Sequence, residues 1–137
     1  AGEQEALRWC DEVVTDAAMG DLLLAVDEVH VLTSLAGFEA LLRGKPVTCY
    51  GQPFYSGWGL TSDVVPNPRR SRRLSLDALV AGALIEHPIY LSRTKSSLIT
   101  PEQALDELVA WRARAGRTAP WWRKLFRVVL RQVVGVR

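Results

Sequence analysis

Residues 28–60 read EVHVLTSLAGFEALLRGKPVTCYGQPFYSGWGL, and their pattern decides the fold. Val29–Leu32 alternates in hydrophobicity and is rich in β-branched residues, which predicts a short buried strand. Apolar residues then recur at helical spacing between 35 and 42, and Gly44 stands where a helix end favours a left-handed residue. Val47–Tyr50 predicts a second strand. The stretch therefore predicts a strand–helix–strand unit with short connections.

The two hydroxyl residues between the first strand and the helix predict a binding edge. Thr33 and Ser34 can each cap the helix by accepting a hydrogen bond from a backbone N–H group. A capped helix directly after a strand places N–H groups and the positive end of the helix dipole at the carboxyl edge of the sheet, where phosphate-bearing ligands bind in open α/β sheets. The alternative is an ordinary βαβ unit whose cap holds no ligand.

The loop after the second strand is unusually rich in aromatic residues and glycine. Its sequence, QPFYSGWG at residues 52–59, contains Phe54, Tyr55, Trp58 and two glycines. Loops that only connect core elements rarely need such residues, whereas binding surfaces often do. This composition favours a ligand-binding role over the ligand-free alternative.

Length and composition fit a soluble protein that could form one domain. The chain has 137 residues, of which 48% are hydrophobic, which is enough for a core. Its net charge of +2 is too small to predict a nucleic-acid partner. Cys10 and Cys49 are interpreted as reduced thiols, which favours a cytoplasmic location. The sequence shows no signal peptide and no long apolar run.

The residues before the central strand predict one more βα unit. Glu12–Val14 is a candidate strand, and Thr15 or Asp16 can cap a helix over Ala17–Ala25. The order to Tyr50 would then be β-α-β-α-β. A doubly wound domain has five or six strands, but only about three are predicted here. The chain is therefore predicted to be the C-terminal piece of a longer protein, with a small three-layer domain as the alternative.

The basic run RRSRR at residues 69–73 supports two interpretations. One is a solvated basic loop. The other is a clamp for phosphate or carboxylate groups, since arginine binds both in a bidentate manner. After the run, Ser75 is predicted to cap a helix that extends to about Glu86. Thr100 and Gln103 then form a capping box that begins another helix.

The last segment, residues 118–137, predicts a basic amphipathic helix. Tryptophans and aliphatic residues occupy one broad face, cations occupy the other, and the segment contains no acidic residue. This pattern is typical of a helix lying on an anionic membrane surface, where each cation contributes about 1 kcal/mol. The alternative is a terminal helix that docks on another part of the protein.

The residues that could carry chemistry are few. His30 is interpreted as a satisfied core residue and His87 as a helix-end residue that complements the dipole. Glu39, further along the capped helix, could bind the two hydroxyls of a ribose, with an exposed helix glutamate as the alternative. No metal-ligand spacing, GxGxxG or Walker A pattern is found, so neither a metal nor a dinucleotide cofactor is predicted.

Three segments resemble the KpsC/LipB family of bacterial capsule polysaccharide proteins: residues 33–61, residues 69–91 (RRSRRLSLDALVAGALIEHPIYL) and residues 100–112 (TPEQALDELVAWR). Within the first, YGQPFYSGWGLT is the most specific, and the likeness extends from about Val13 to Arg112. The resemblance implies a cytoplasmic glycosyltransferase that moves β-Kdo from CMP-Kdo, the donor substrate, to a lipid-linked acceptor. It also implies two Rossmann-like lobes in a GT-B arrangement.

The resemblance also implies a domain organisation. The fold class would be α/β, a partial Rossmann-like lobe of a GT-B-type glycosyltransferase with C-terminal helices. Residues 1–60 would belong to the nucleotide-sugar-binding lobe, 61–117 would supply the basic loop and closing helices, and 118–137 would form the basic tail. A non-catalytic docking module of a membrane-associated capsule assembly complex is the alternative function.

The implied substrate contacts lie in the central stretch. Thr33 and Ser34 would contact the CMP phosphate and Glu39 the ribose, while the loop would shape the sugar or acceptor side. The loop residues with this implied role are Tyr55, Gly57 and Trp58. The catalytic carboxylate is expected upstream of Ala1, so this chain alone should be inactive. Other capsule assembly proteins are the remaining implied partner. An anionic membrane surface is expected from the charge pattern of residues 118–137 and not from the resemblance, because this tail is less typical of the family.

Overall fold

A computed structural model describes residues 2–115, which contain five α-helices and five strands. Contacts divide the chain into two compact units, the first ending at Ala81 and the second beginning at Gly82. In the first unit the elements are α1 (Gly2–Ala6), α2 (Met19–Ala25), β1 (Val29–Val31), α3 (Leu35–Leu41), β2 (Val47–Cys49), β3 (Ser62–Asp63) and α4 (Leu76–Ala81). In the second they are a π-helical segment (Gly82–Glu86), β4 (Tyr90–Leu91), β5 (Leu98–Ile99) and α5 (Pro101–Ala115).

The first unit is built on a parallel sheet with the strand order β1-β2-β3. Val29 lies opposite Val47 in β2, and Thr48 lies opposite Ser62 in β3. The helix α3 connects β1 to β2, and the aromatic loop connects β2 to β3. Because parallel crossovers are right-handed, two successive connections in this order lie on the same face of the sheet. The loop and α3 are therefore neighbours.

The core of this unit lies between the sheet and the helices and loop that cover this face. Its side chains come from α2, all of the β1–α3–β2 unit, the loop and α4, and they are Leu23, Val31, Phe38, Ala40, Leu41, Val47, Cys49, Tyr55 and Leu79. The phenylalanine ring of α3 packs on two loop rings, with centroids 5.0 Å from Phe54 and 6.1 Å from Tyr55. Such aromatic pairs add about 0.5–1.5 kcal/mol beyond the area they bury. The loop thus belongs to the core as much as to the surface.

The central prediction is confirmed, and the upstream one is wrong. β1, α3 and β2 form within a residue of their predicted bounds, and Gly44 has the expected positive φ of 69°. Residues 11–18 form no strand or helix, so the Glu12–Val14 strand is absent. Three residues without a hydrogen-bonding neighbour cannot specify a strand. The helix α2 begins at Met19, and its N-cap is Ala18, which makes no side-chain cap bond.

The first unit extends beyond residue 60. β3, at Ser62–Asp63, pairs with β2 and so belongs to the first unit. Ser75 caps α4 as predicted, since its Oγ accepts a hydrogen bond from the Ala78 amide at 3.1 Å. The first unit therefore includes the basic run as well as the sheet.

In the second unit, a short antiparallel hairpin precedes the longest described helix. Tyr90 in β4 pairs with Ile99 in β5, and α5 follows directly. The predicted capping box is confirmed: the Gln103 amide donates to Thr100 Oγ1 at 3.3 Å, and the Thr100 amide donates to Gln103 Oε1 at 3.1 Å. These reciprocal bonds satisfy two N–H groups at the helix start.

Within residues 2–115, no helix has the length and apolar character needed to span a bilayer. The predicted amphipathic helix at residues 118–137 lies outside the described residues.

Candidate functional site

The carboxyl edge of the sheet is formed by the residues that follow β1 and β2. The ladder continues past both strands, because the Tyr50 amide donates to the Val31 carbonyl at 2.8 Å and the Gly51 amide donates to the Leu32 carbonyl at 3.1 Å. A Cβ at Gly51 would lie only 2.8 Å from the Leu32 carbonyl oxygen. Glycine at position 51 therefore allows the ends of the two strands to approach closely beside Thr33.

Ser34 is the N-cap of α3. Its Oγ accepts a hydrogen bond from the Ala36 amide at 3.2 Å, and its backbone is extended, as caps require. Thr33 precedes it in a bend, and both residues are exposed. The predicted hydroxyl pair is therefore present at the sheet edge, and Ser34 rather than Thr33 makes the capping bond.

Tyr55 holds this cap from the loop. Its side chain is only 1% exposed, and its hydroxyl donates a hydrogen bond to the Ser34 carbonyl oxygen. Gly37 makes the approach possible, since a Cβ there would come within 2.8 Å of the Tyr55 Cζ atom. Burial, with a smaller effect of nearby Cys49, raises the pKa of Tyr55 to about 12. Tyr55 is thus a neutral hydrogen-bond donor beneath the cap, where it positions the edge rather than offering its ring to a ligand.

The glycines of the loop allow it to turn back on β3. Gly57 has a φ of 76°, a conformation that side chains disfavour, and its amide donates to Asp63 Oδ2 at 2.8 Å. The other carboxylate oxygen, Oδ1, accepts a hydrogen bond from Thr61 Oγ1 at 2.8 Å. The indole of Trp58 donates to the Phe54 carbonyl at 2.8 Å. Gly57 and Trp58 are thus held in place by hydrogen bonds within the loop and to β3.

Arg70 completes the loop, and sequence reasoning did not distinguish it from its neighbours. Its Nη1 donates to the carbonyls of Pro53 and Ser56, and its guanidinium lies 5.4 Å from the Trp58 ring centroid. This arginine therefore stabilises the loop internally instead of lying in a solvated basic segment. The other arginines of the run are exposed: Arg69, Arg72 and Arg73. Nothing local in RRSRR marks the second position, because the contacts come from residues some fifteen positions earlier.

Glu39 lies on α3 away from the cap. Its carboxylate is 3.8 Å from Nη1 of Arg43, one helical turn further on, and the same Nη1 donates to the Glu39 carbonyl at 2.8 Å. Five positions along a helix rotate a residue by about 140°, so Glu39 and Ser34 lie on different sides of α3 and would have to contact different parts of one ligand. The structure brings Tyr55 to Ser34 and pairs Glu39 with Arg43.

The interpretation of His30 as a core residue is wrong. Its side chain is 51% exposed, its Nδ1 lies 3.0 Å from the Tyr50 hydroxyl, and its Nε2 lies 3.4 Å from a Glu28 carboxylate oxygen. Alternation along β1 places Val29 and Val31 toward the core and His30 on the opposite face. That face is not covered by the described residues at this position.

The fold and the site together define an α/β chain with a parallel sheet, a capped helix at its carboxyl edge and an aromatic loop fixed to that cap. The chain belongs to the capsule polysaccharide biosynthesis protein family, whose model matches residues 3–93. The resemblance recognised in the sequence is thereby confirmed.

Similar proteins include one curated relative and two solved structures. The capsule polysaccharide modification protein LipA of Neisseria meningitidis serogroup B is 50% identical over 106 residues, which are 77% of this chain and 15% of LipA. The Thermosulfurimonas dismutans KpsC β-Kdo 2,7 transferase is 54% identical with a TM-score of 0.75, covering 79% of this chain and 36% of that one. The β-Kdo 2,4 transferase of the same KpsC is 37% identical with a TM-score of 0.63, covering 66% and 28%. This chain therefore corresponds to a small part of each.

Proposed function

We propose that this chain is part of a glycosyltransferase that moves β-Kdo from CMP-Kdo to a lipid-linked saccharide acceptor during synthesis of a capsule linker. The observation that carries the proposal is the likeness to the KpsC β-Kdo 2,7 transferase, at 54% identity and a TM-score of 0.75. The likeness to the 2,4 transferase is weaker in both measures. The 2,7 linkage is therefore the proposed product, and the unit described here is proposed to be part of a Rossmann-like lobe of a GT-B enzyme.

The geometry of the sheet edge supports a donor-binding role. Thr33 and Ser34 are exposed hydroxyl residues at the carboxyl end of β1, which is the edge that binds nucleotides in parallel α/β sheets. The Ser34 Oγ atom accepts a hydrogen bond from the Ala36 amide, so its hydroxyl proton is free to be donated to a phosphate oxygen. The CMP phosphate is the proposed ligand of this pair.

The loop and the basic run supply the rest of the proposed donor site. Trp58 is half-buried and fixed by Arg70, so it presents a rigid aromatic edge. Arg73 passes beside Gly59, where a Cβ would lie 3.1 Å from its Nε atom. We assign the Kdo carboxylate or the phosphate to the exposed arginines of the run, the clamp predicted from RRSRR. Gly57 and Trp58 shape the sugar side, and Tyr55 acts from beneath by holding the Ser34 carbonyl.

The test is a titration of CMP against the full-length parent protein with and without single substitutions. Ser34→Ala should weaken CMP binding by about tenfold to a hundredfold, since a hydrogen bond to a charged group contributes about 1.5–3 kcal/mol. Ser75→Ala is the matched control, because it also removes a hydroxyl cap, here that of α4. Equal losses in both variants would show that only helix capping matters, and unchanged CMP affinity in Ser34→Ala would contradict the phosphate assignment.

Glu39 is tested separately, since the proposal has it bind the ribose diol. Glu39→Ala should weaken binding of CMP more than it weakens binding of inorganic phosphate, which has no ribose. Arg43→Ala breaks the same ion pair and leaves the carboxylate in place, so it controls for helix stability. Equal effects of the two substitutions would reduce Glu39 to a surface helix residue.

The catalytic carboxylate is proposed to lie in another part of the enzyme. The 137-residue chain alone should therefore show no transfer of Kdo from CMP-Kdo, whereas the parent protein should. Transfer by the isolated chain would contradict this assignment.

The charge pattern of residues 118–137 favours a second role in docking to the membrane. The segment combines tryptophans and aliphatic residues with cations and contains no acid. Co-sedimentation with vesicles of anionic lipid should fall strongly when residues 118–137 are deleted. Equal pelleting with and without the segment would exclude the membrane role.

A further inference from the structure

The second unit contains an open cleft of about 460 Å³ between the β4–β5 turn and α5. Its lining residues combine two cations, one carboxylate, one hydroxyl and one indole, and they are Arg93, Thr94, Glu107, Trp111 and Arg114. Glu107, Trp111 and Arg114 follow one another at spacings of four and three on α5, so they lie on one side of the helix. The cleft lies within the second unit, and none of its lining residues belongs to the proposed donor site.

Glu107 is fixed as an ionised hydrogen-bond acceptor in the lining of this cleft. Its Oε1 accepts a hydrogen bond of 2.6 Å from Ser92 Oγ, and its Oε2 accepts one of 2.9 Å from the Arg93 amide. Ser92 is only 4% exposed, which makes it a rigid partner. The Ser92 hydroxyl first, and then the Arg93 amide, hold the pKa of Glu107 below its usual range. The carboxylate therefore stays charged at neutral pH and can accept further hydrogen bonds.

Two guanidinium groups and an indole line the cleft together with that carboxylate. The Cζ atom of Arg93 lies 5.1 Å from the Trp111 ring centroid, within the range of a cation–π contact. The Arg114 Nε atom donates to the Ala110 carbonyl at 3.1 Å, which anchors the guanidinium along the helix. The Trp111 side chain is 48% exposed, so part of its aromatic surface can contact a ligand.

We propose that this cleft binds an acidic sugar, which rests on the proposed transferase function and would make the cleft an acceptor-side subsite. The guanidinium groups of Arg93 and Arg114 would bind the sugar carboxylate, and the indole would contact its apolar C–H face. Glu107 would accept hydrogen bonds from ring hydroxyls. The lining side chains carry two positive charges and one negative charge, and the positive charge of Lys95 also acts on Glu107, so the cleft is net positive and suits an anionic sugar.

The same carboxylate argues against a simple polyanion as the ligand. Glu107 repels a phosphate group, whereas a sugar offers hydroxyl donors that an ionised carboxylate accepts. An aromatic face beside charged groups likewise adds little to binding of an inorganic anion. The ligand chemistry that uses every lining group is a carboxylate, several hydroxyls and an apolar face in one small molecule.

The test follows the indole N–H signal of Trp111 by NMR while the 137-residue chain is titrated, with Trp111→Phe used to assign the signal. The probes are Kdo, N-acetylneuraminate, mannose and inorganic phosphate. We expect saturable shifts with both acidic sugars and none with mannose or phosphate. Equal shifts with phosphate would indicate a plain anion site, equal shifts with mannose would exclude carboxylate recognition, and no saturable shift with Kdo would exclude the acidic-sugar site; each result overturns the proposal.

Matched arginine variants locate the interaction. Arg93→Gln and Arg114→Gln should each weaken Kdo binding by about tenfold or more, as expected for a charge-assisted hydrogen bond. Arg112→Gln should leave it unchanged, because Arg112 is an exposed arginine of the same helix that does not line the cleft. Equal effects of all three would point to general electrostatics and contradict the site. CMP binding to the parent protein should survive Arg114→Gln, so the cleft and the donor site fail or succeed independently.

Discussion

The hydroxyl of Tyr55 donates a hydrogen bond to the carbonyl oxygen of Ser34, the residue that caps α3. This single bond ties the connection between β2 and β3 to the start of the helix between β1 and β2. Because Ser34 lies at the carboxyl edge of the sheet, any ligand held there depends on a tyrosine buried behind it. The loop therefore contributes to the proposed donor site chiefly by holding the helix cap in place through the buried Tyr55.

Gly37→Ala should destabilise the first unit. Its Cβ would lie 2.8 Å from Cζ and 3.0 Å from Cε2 of Tyr55, a ring that is 1% exposed and has little room to move. Overpacking of this kind costs about 1–3 kcal/mol. The free energy of unfolding, measured by urea titration, should fall by that amount.

Gly20→Ala is the matched control for that substitution. Gly20 also lies in a helix, α2, but its added Cβ would meet only the end of the Arg43 side chain, at 3.6 Å. Replacing a helical glycine by alanine without a clash stabilises by about 0.5–1 kcal/mol. Equal destabilisation by the two substitutions would contradict the close packing of Tyr55 on α3.

Tyr55→Phe should change how stability depends on pH. Burial and Cys49 raise the pKa of Tyr55 from an ordinary 10.0 to about 12, so the folded state favours the neutral phenol. The unfolded chain releases this proton first as pH rises. Stability that is fully present below pH 10 is therefore lost between about pH 10 and pH 12, by up to about 3 kcal/mol.

Urea titrations at several alkaline pH values check this expectation. Relative to Tyr55→Phe, the unsubstituted chain should lose stability over that window. Tyr50→Phe, at a position 47% exposed, should retain the loss because Tyr55 is still present. Parallel profiles for the unsubstituted chain and Tyr55→Phe would show that Tyr55 is not buried as described.

Arg70→Lys should loosen the aromatic loop despite conserving the charge. Lysine cannot reproduce one planar group that donates to the Pro53 and Ser56 carbonyls and also stacks near Trp58. We expect a loss of about 1–2 kcal/mol, together with faster hydrogen exchange of the Gly57 amide. Arg72→Lys, at an exposed position, should have no effect on either measurement. Equal stability and equal exchange in the two variants would show that Arg70 is a solvated basic residue with no structural role in the loop.

The two cysteines should differ sharply in reactivity. Cys10 is exposed, whereas Cys49 is fully buried in β2, and burial followed by the nearby Asp63 charge raises the pKa of its thiol. Because the thiolate is the reactive form, a thiol reagent should modify Cys10 at once and Cys49 only when the sheet opens. Cys10→Ser should remove the fast phase. Rapid modification of that variant under native conditions would contradict the burial of Cys49.

The sequence predicted the centre of the fold because the signals there are local. Alternating residues from Val29, a hydroxyl cap and a glycine at the helix end each act over a few positions, and β1, α3 and β2 follow. Glu12–Val14 failed because a strand needs a partner, and nothing in three residues supplies one. The capping box at Thr100 was predictable for the same reason that α3 was.

The contacts of the site were less predictable, since they join residues distant in sequence. The loop pattern showed that three aromatic residues lie together, but it did not show that Tyr55 faces inward while Phe54 is 44% exposed. Arg70 was one of four similar arginines until the fold brought it to Pro53 and Ser56. The interpretation of His30 was wrong because it treated β1 as buried on both faces, as strands of parallel sheets often are. Only the face toward α3 is buried, and His30 lies on the other.

Among residues 2–115, the strands of the parallel sheet lie between Val29 and Asp63, with each strand paired to the next one along the chain. Parallel sheets often fold slowly, because their partners are far apart in sequence. Here the contact order of the sheet is low, so a nascent chain can complete all three strands soon after Asp63 leaves the ribosome. The first unit can therefore serve as an early folding nucleus, formed while the second unit is still being synthesised.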